Sequence, residues 1–188
     1  MKAKLAIFVS GSGSNCENII KYFANSDEVE VGIVVSNKAD AYALVRAKNL
    51  NVPSTVISAQ QLREDRDLVL STIKDCNYII LAGFLPKVPD YLIDLYPQRI
   101  INIHPSLLPK FGGKGMWGHH VHEAVKAAGE TESGITIHFV NSMLDEGQQI
   151  AQFKVALSPD DTPDDIADKI HVLEMAHFPE VIESVVKG

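Results

Sequence analysis

Short, mainly apolar runs recur along this chain with amphipathic stretches between them, and that alternation limits the fold more than any single motif. Residues 5–9 (Leu-Ala-Ile-Phe-Val), 29–35, 78–82 and 100–104 are such runs. A segment apolar on both faces needs cover on both sides, as a strand of a parallel sheet does. Parallel neighbours require crossovers, and crossovers are usually helices. The intervening stretches supply them. Ser14 with Glu17 predicts a capping box ahead of Ile19, Ile20 and Phe23; Asp40 predicts an N-cap for a helix over 41–48; Ser58 with Gln61 opens a third helix reaching about 74; and 91–95 is helical. A weaker strand at 52–57 carries Pro53 near its start, which places it towards a sheet edge. The expected class is α/β: a mostly parallel, twisted, doubly wound sheet with helices on both faces and a Rossmann-like half over 1–105.

The second half reads differently. Residues 105–115 form a Pro- and Gly-rich loop, 118–128 a helix, and 134–140 and 149–156 two strands joined through the turn Asp145-Glu146-Gly147. Thr162, Pro163 and Asp165 mark the start of a last helix with Ile166, Ile170, Leu173 and His177 on one face, and Pro179 is expected to kink or divide it. A chain of 188 residues fits one domain, 1–188. Its net charge of −7 argues against nucleic acid or an anionic membrane as partner. The first apolar run is too short for an export leader or a bilayer span. Two cysteines, Cys16 and Cys76, make no disulfide framework and fit a reducing cytoplasm.

Several motifs bear chemistry. The turn Gly11-Ser12-Gly13-Ser14-Asn15 leads from strand to helix, so its N–H groups either cradle a phosphate or simply satisfy turn geometry. Ser36-Asn37-Lys38 stands where a dinucleotide site would want an acid, which disfavours NAD. Asn102 and His104, two apart at the carboxyl end of a central strand, project to one side and suit oxyanion stabilisation and proton transfer, unless they are a polar strand end with a satisfied core histidine. Asp145 either approaches that end of the sheet, favouring the imidazolium of His104, or serves its turn. Arg63 and Lys87 are either anchors for an acidic substrate tail or solvated surface. His119, His120 and His122 lack an acidic or thiol partner at metal spacing, so no metal is expected. Cys16 reads as a packed residue rather than a nucleophile.

Together, Gly11 to Asn15, Ser36 to Asp40, Leu81-Ala82-Gly83-Phe84, the run Asn102-Ile103-His104-Pro105-Ser106-Leu107-Leu108-Pro109, and residues 134–140 resemble the phosphoribosylglycinamide formyltransferases over nearly the whole chain. The most specific part is that run followed by Leu144-Asp145-Glu146-Gly147. The resemblance implies transfer of a formyl group from 10-formyltetrahydrofolate to the amine of glycinamide ribonucleotide in purine synthesis. It implies a catalytic trio of Asn102, His104 and Asp145, a phosphate loop of Gly13, Ser14 and Asn15, and Glu174 at the ribose. Folate contacts are implied for Arg63, Leu85, Pro86, Lys87, Val88, Asn102, Val140 and Leu144, with Pro86-Lys87 departing from an arginine-containing version. The Rossmann-like half would then hold the nucleotide and 106–188 would form the folate-binding and catalytic half, in a cytoplasmic monomer or homodimer. Formyltetrahydrofolate deformylases carry an extra N-terminal domain and methionyl-tRNA formyltransferases an RNA-binding one; both are disfavoured here. The alternatives kept are a deformylase-like hydrolase, in which water replaces the amine, and a non-catalytic nucleotide-binding module.

Overall fold

The computed structural model describes residues 2–188. Seven strands form one sheet in the order β3-β2-β1-β4-β5-β6-β7. The first five, β1 (Ala3–Val9), β2 (Val29–Ser36), β3 (Ser54–Val56), β4 (Tyr78–Leu81) and β5 (Ile100–His104), pair in parallel. β6 (Glu132–Phe139) and β7 (Gln149–Ala156) add on antiparallel. Between and after them lie α1 (Ser14–Phe23), α2 (Tyr42–Asn49), α3 (Ala59–Glu64), α4 (Arg66–Thr72), α5 (Asp90–Leu95), α6 (His119–Ala127) and α7 (Pro163–Lys187). The unbroken apolar run of β1 divides by alternation: Leu5, Ile7 and Val9 enter the core beneath α1, α2 and α7, while Ala6 and Phe8 enter the one beneath α3, α4 and α5. The predicted α/β class holds, β3 lies at the sheet edge as Pro53 implied, and the β5 and β7 boundaries match the expected ones.

Local capping departs from expectation at three places, each for a visible reason. The Ser14–Glu17 box does not form. Gly13 is the N-cap, at φ 76°, and Glu17 is drawn away to Arg46 and Lys21. A Cβ on Gly13 would overlap the Ala43 methyl, so only glycine allows the turn to pack so closely on α2. Asp40 does not cap α2; Ala41 takes that position without a side-chain bond, while the Ala43 N–H donates to the Gly11 carbonyl at 3.1 Å. The helix expected to run from Ser58 to about 74 is broken at Asp65, which ends α3 and caps α4 by accepting from the Leu68 N–H at 3.0 Å. The Ser58–Gln61 and Thr162–Asp165 boxes form as predicted.

Pro179 does not divide α7, which runs continuously from Pro163 to Lys187. Proline removes the hydrogen bond to the carbonyl four residues earlier, here that of Met175. That carbonyl instead accepts from Asn18 Nδ2 of α1 at 2.8 Å. The missing helical bond is thus replaced by a tertiary one that joins two helices. Asn18→Ala is expected to cost about 1–3 kcal/mol by leaving the carbonyl unsatisfied. In a Pro179→Ala background, where a backbone N–H is restored, less than half that cost should survive. Urea unfolding of the four proteins of this double-mutant cycle measures both.

Candidate active site

The carboxyl ends of β1, β4 and β5 open into one cleft of about 820 Å³, where parallel sheets of this type place ligands. One wall is the turn from Gly11 to Asn15; the floor holds Asn102, His104 and His138; the far side holds residues 84–88, 140–145 and the loop 113–119.

The centre is built by the antiparallel pairing of β5 and β6, which sets His138 opposite Asn102 and Thr136 opposite His104. His104 is 4% exposed, and its Nε2 lies 2.8 Å from the Phe111 carbonyl. A carbonyl only accepts, so Nε2 carries the proton and Nδ1 is the nitrogen left for the cleft. Nδ1 lies 3.6 Å from Asp145 Oδ2. The same logic applies to His138: its Nδ1 donates to the Phe139 carbonyl at 2.9 Å, so Nε2 presents a lone pair to Asn102 Nδ2 at 3.1 Å. His138 Nε2 is also 3.8 Å from Asp145 Oδ1, but burial holds this imidazole's pKa down despite that carboxylate and the Phe139 bond, so it is a neutral ring. One N–H of the Asn102 amide is thereby spent on His138 and one stays free.

Asp145 is not in bulk solvent. It sits at φ 57° with its side chain 13% exposed, and Oδ2 accepts from the Gly113 N–H at 2.8 Å. The turn that carries it is tight because Gly147 lies against the Phe139 carbonyl, where any Cβ would overlap. The trio predicted from the sequence is therefore brought together, with its acid held by the glycine-rich loop.

On the opposite wall, Asn15 Nδ2 donates to Glu174 Oε2 of α7 at 2.9 Å, and Gly13 and Ser14 line the cleft beside them. No side-chain cap occupies the start of α1, so its first N–H groups face the cleft uncapped. Leu85, Pro86, Lys87, Val88, Val140 and Leu144 all line the far side, and Leu85, Trp117, Met143 and Leu144 give its mouth an exposed apolar rim. Arg63, on α3, is not among the cleft-lining residues. Cys16 is on the buried face of α1 and burial pushes its thiol up to about 12, which suits packing, not attack. His119 and His120 make surface contacts with Glu123 and Asp164, and no group of metal-binding geometry occurs among the described residues.

Residues 3–182 match the formyl transferase family model. The chain belongs to the formyl transferase family. Among curated relatives, the chloroplastic phosphoribosylglycinamide formyltransferase of Arabidopsis thaliana is 37% identical over 98% of this chain and 65% of its own length. The chloroplastic enzyme of Vigna unguiculata is 36% identical, with 61% of its length covered, so this chain spans about three-fifths to two-thirds of those relatives. The Haemophilus influenzae phosphoribosylglycinamide formyltransferase is 32% identical over 98% of this chain and 88% of its own. Among solved structures, the Streptococcus pneumoniae phosphoribosylglycinamide formyltransferase superposes with a TM-score of 0.85 at 36% identity, covering 98% of this chain and 99% of that one.

In this formyltransferase chain, sequence reasoning missed His138, the Phe111 carbonyl and Gly113. His138 had a usable signal: it alternates with Ile135 and Ile137 and so shares a strand face with Thr136. The other two act through backbone atoms, which residue types do not advertise.

Glu174 bears a testable electrostatic cost. Burial raises its pKa above the ordinary 4.5, against the opposing Asn15 bond and the neighbouring His171. A carboxyl raised in the folded state contributes its stability only while protonated, fully below 4.5 and progressively less as the pH climbs through the raised value. Glu174→Gln should therefore unfold at equal or higher urea concentration than the parent at neutral pH. That advantage should vanish below the ordinary glutamate range. Midpoints measured across the pH series check the sign.

Proposed function

We propose that this formyltransferase moves the formyl group of 10-formyltetrahydrofolate onto the amine of glycinamide ribonucleotide, the purine-biosynthetic activity for which its relatives are named. The observation that carries the reading is the meeting of Asn102, His104 and Asp145 between an uncapped glycine turn and an apolar-rimmed slot, all in one cleft. The turn with Gly13, Ser14 and Asn15 suits the substrate phosphate, and Glu174 suits a sugar hydroxyl. Leu85 to Val88, Val140 and Leu144 offer apolar surface and backbone groups for the flat ring of the folate. Lys87, which lines the cleft, takes the role of cation for its acidic tail; Arg63 does not line it. We read residues 1–105 as the nucleotide half and 106–188 as the folate and catalytic half of a single domain. Glu174 reaches back across that division.

The chemistry follows from the site. The substrate amine attacks the formyl carbon, and the carbonyl oxygen becomes an oxyanion. The free N–H of Asn102 and a protonated His104 Nδ1 donate to it, with Asp145 stabilising the imidazolium. Collapse breaks the bond from carbon to the folate nitrogen. A proton leaves the attacking nitrogen and one reaches the departing nitrogen, so charge balances overall. His104 and Asp145 are placed for that transfer. The Nε2 bond to Phe111 holds the ring so that Nδ1 faces the reaction.

One chain builds the whole cleft, which supports action by a monomer or by each subunit of a homodimer. The unpaired, buried Cys16 and Cys76 support a reducing compartment such as the cytoplasm. Among the described residues no helix is long and apolar enough to cross a membrane.

Loss of the formyl donor, followed by absorbance with and without glycinamide ribonucleotide, tests the reading. Loss that requires the acceptor is expected. Loss without it would indicate hydrolysis, and no loss would indicate a binding module. Asn102→Ala and His104→Ala, with folding checked by circular dichroism, should each lower turnover about a hundredfold to a thousandfold.

A further inference from the structure

His122 belongs to no part of the chemistry above, yet it is built into the same cleft. It sits on α6, is 6% exposed, and lines the cavity together with Gly13, Ser14, Asn15, Ala167 and Glu174. α6 packs on α7, the helix that supplies the last two of these. Its Nδ1 is sealed from solvent and has no hydrogen-bond partner among the described residues. With Nδ1 sealed and His122 lining the cavity, Nε2 is the ring nitrogen left to address the cleft. The contrast with the other two buried histidines is informative. His104 and His138 each place one ring N–H on a backbone carbonyl, whereas no carbonyl fixes His122.

The proton's place follows from cost. An imidazolium would bury an unpaired Nδ1–H and would share the region with His104. A neutral ring protonated at Nδ1 would still orphan a donor, and buried orphan N–H groups are rarer than under-used acceptors. Protonation at Nε2 leaves only a lone pair sealed. Burial first, then His119 and His104, depress the ring's basicity, and His119 is itself engaged by Glu123 and Asp164. From the sealed Nδ1, the open Nε2 and the shared wall, we infer that His122 is a neutral hydrogen-bond donor, offering Nε2–H to an oxygen of the acceptor ribonucleotide. This rests on the acceptor-side assignment made under the proposed function. A donor without charge can bind that oxygen while His104 carries the proton needed for catalysis.

Two measurements test it. The first needs no substrate: nitrogen-15 NMR of histidine-labelled wild-type protein at neutral pH should report His122 as neutral and protonated at Nε2. A charged ring, or a proton on Nδ1, overturns the inference whatever the enzyme's substrate proves to be. The second is calorimetric titration with glycinamide ribonucleotide. His122→Phe keeps the ring's bulk and removes the donor, and should weaken binding about tenfold. His122→Gln, whose amide nitrogen approximates Nε2, should stay within about threefold of the parent, and it remains informative if the Phe variant does not fold. Affinity for the formyl folate should be unchanged in both. Unaltered acceptor binding in a folded His122→Phe protein, or an equal loss for both substrates, refutes the assignment. A wild-type protein that fails to bind the ribonucleotide would instead overturn the substrate reading and, with it, the ligand half of this inference.

Discussion

Antiparallel pairing of β6 against β5 is the contact on which the site depends. It sets His138 across from Asn102 and turns the chain back through Val140, whose N–H donates to the Ile100 carbonyl at 2.9 Å, towards the segment carrying Asp145. The change of direction after five parallel strands brings a residue more than forty positions away in sequence to within 3.6 Å of His104.

Backbone carbonyls do much of the electrostatic ordering. Phe111 and Phe139 each accept from one imidazole nitrogen, and those two bonds assign the remaining nitrogens: Nδ1 of His104 to the cleft and Nε2 of His138 to the Asn102 amide. Gly113 adds an N–H to Asp145. The loop containing Phe111 and Gly113 is therefore a structural partner of His104 and Asp145 as well as a connection between β5 and α6.

Much of this was legible in the residues. The apolar runs disclosed the parallel strands because burial on both faces leaves a plain signature. The run from Asn102 to Pro109 with the later Asp145 disclosed the side chains that meet at the centre of the cleft. Capping was less legible. Ser14 and Glu17 have the right spacing for a box, but Arg46, from a helix distant in sequence, competes for the same carboxylate. Pro179 looked like a break because its compensation lies on α1, where Asn18 supplies the missing donor. Arg63 lies on α3, outside the lining of the cleft. For Glu17 and Pro179 the deciding partner is remote in sequence, and local spacing carries no record of it.

The paired links from α1 to α7 bear on how the molecule could be rearranged. Asn15 to Glu174 and Asn18 to Met175 rivet α1 to α7 along the wall of the cleft that holds the glycine turn. A cut in the exposed stretch leading into β3, where Asn51, Pro53 and Ser54 lie at the surface, would leave that seam whole.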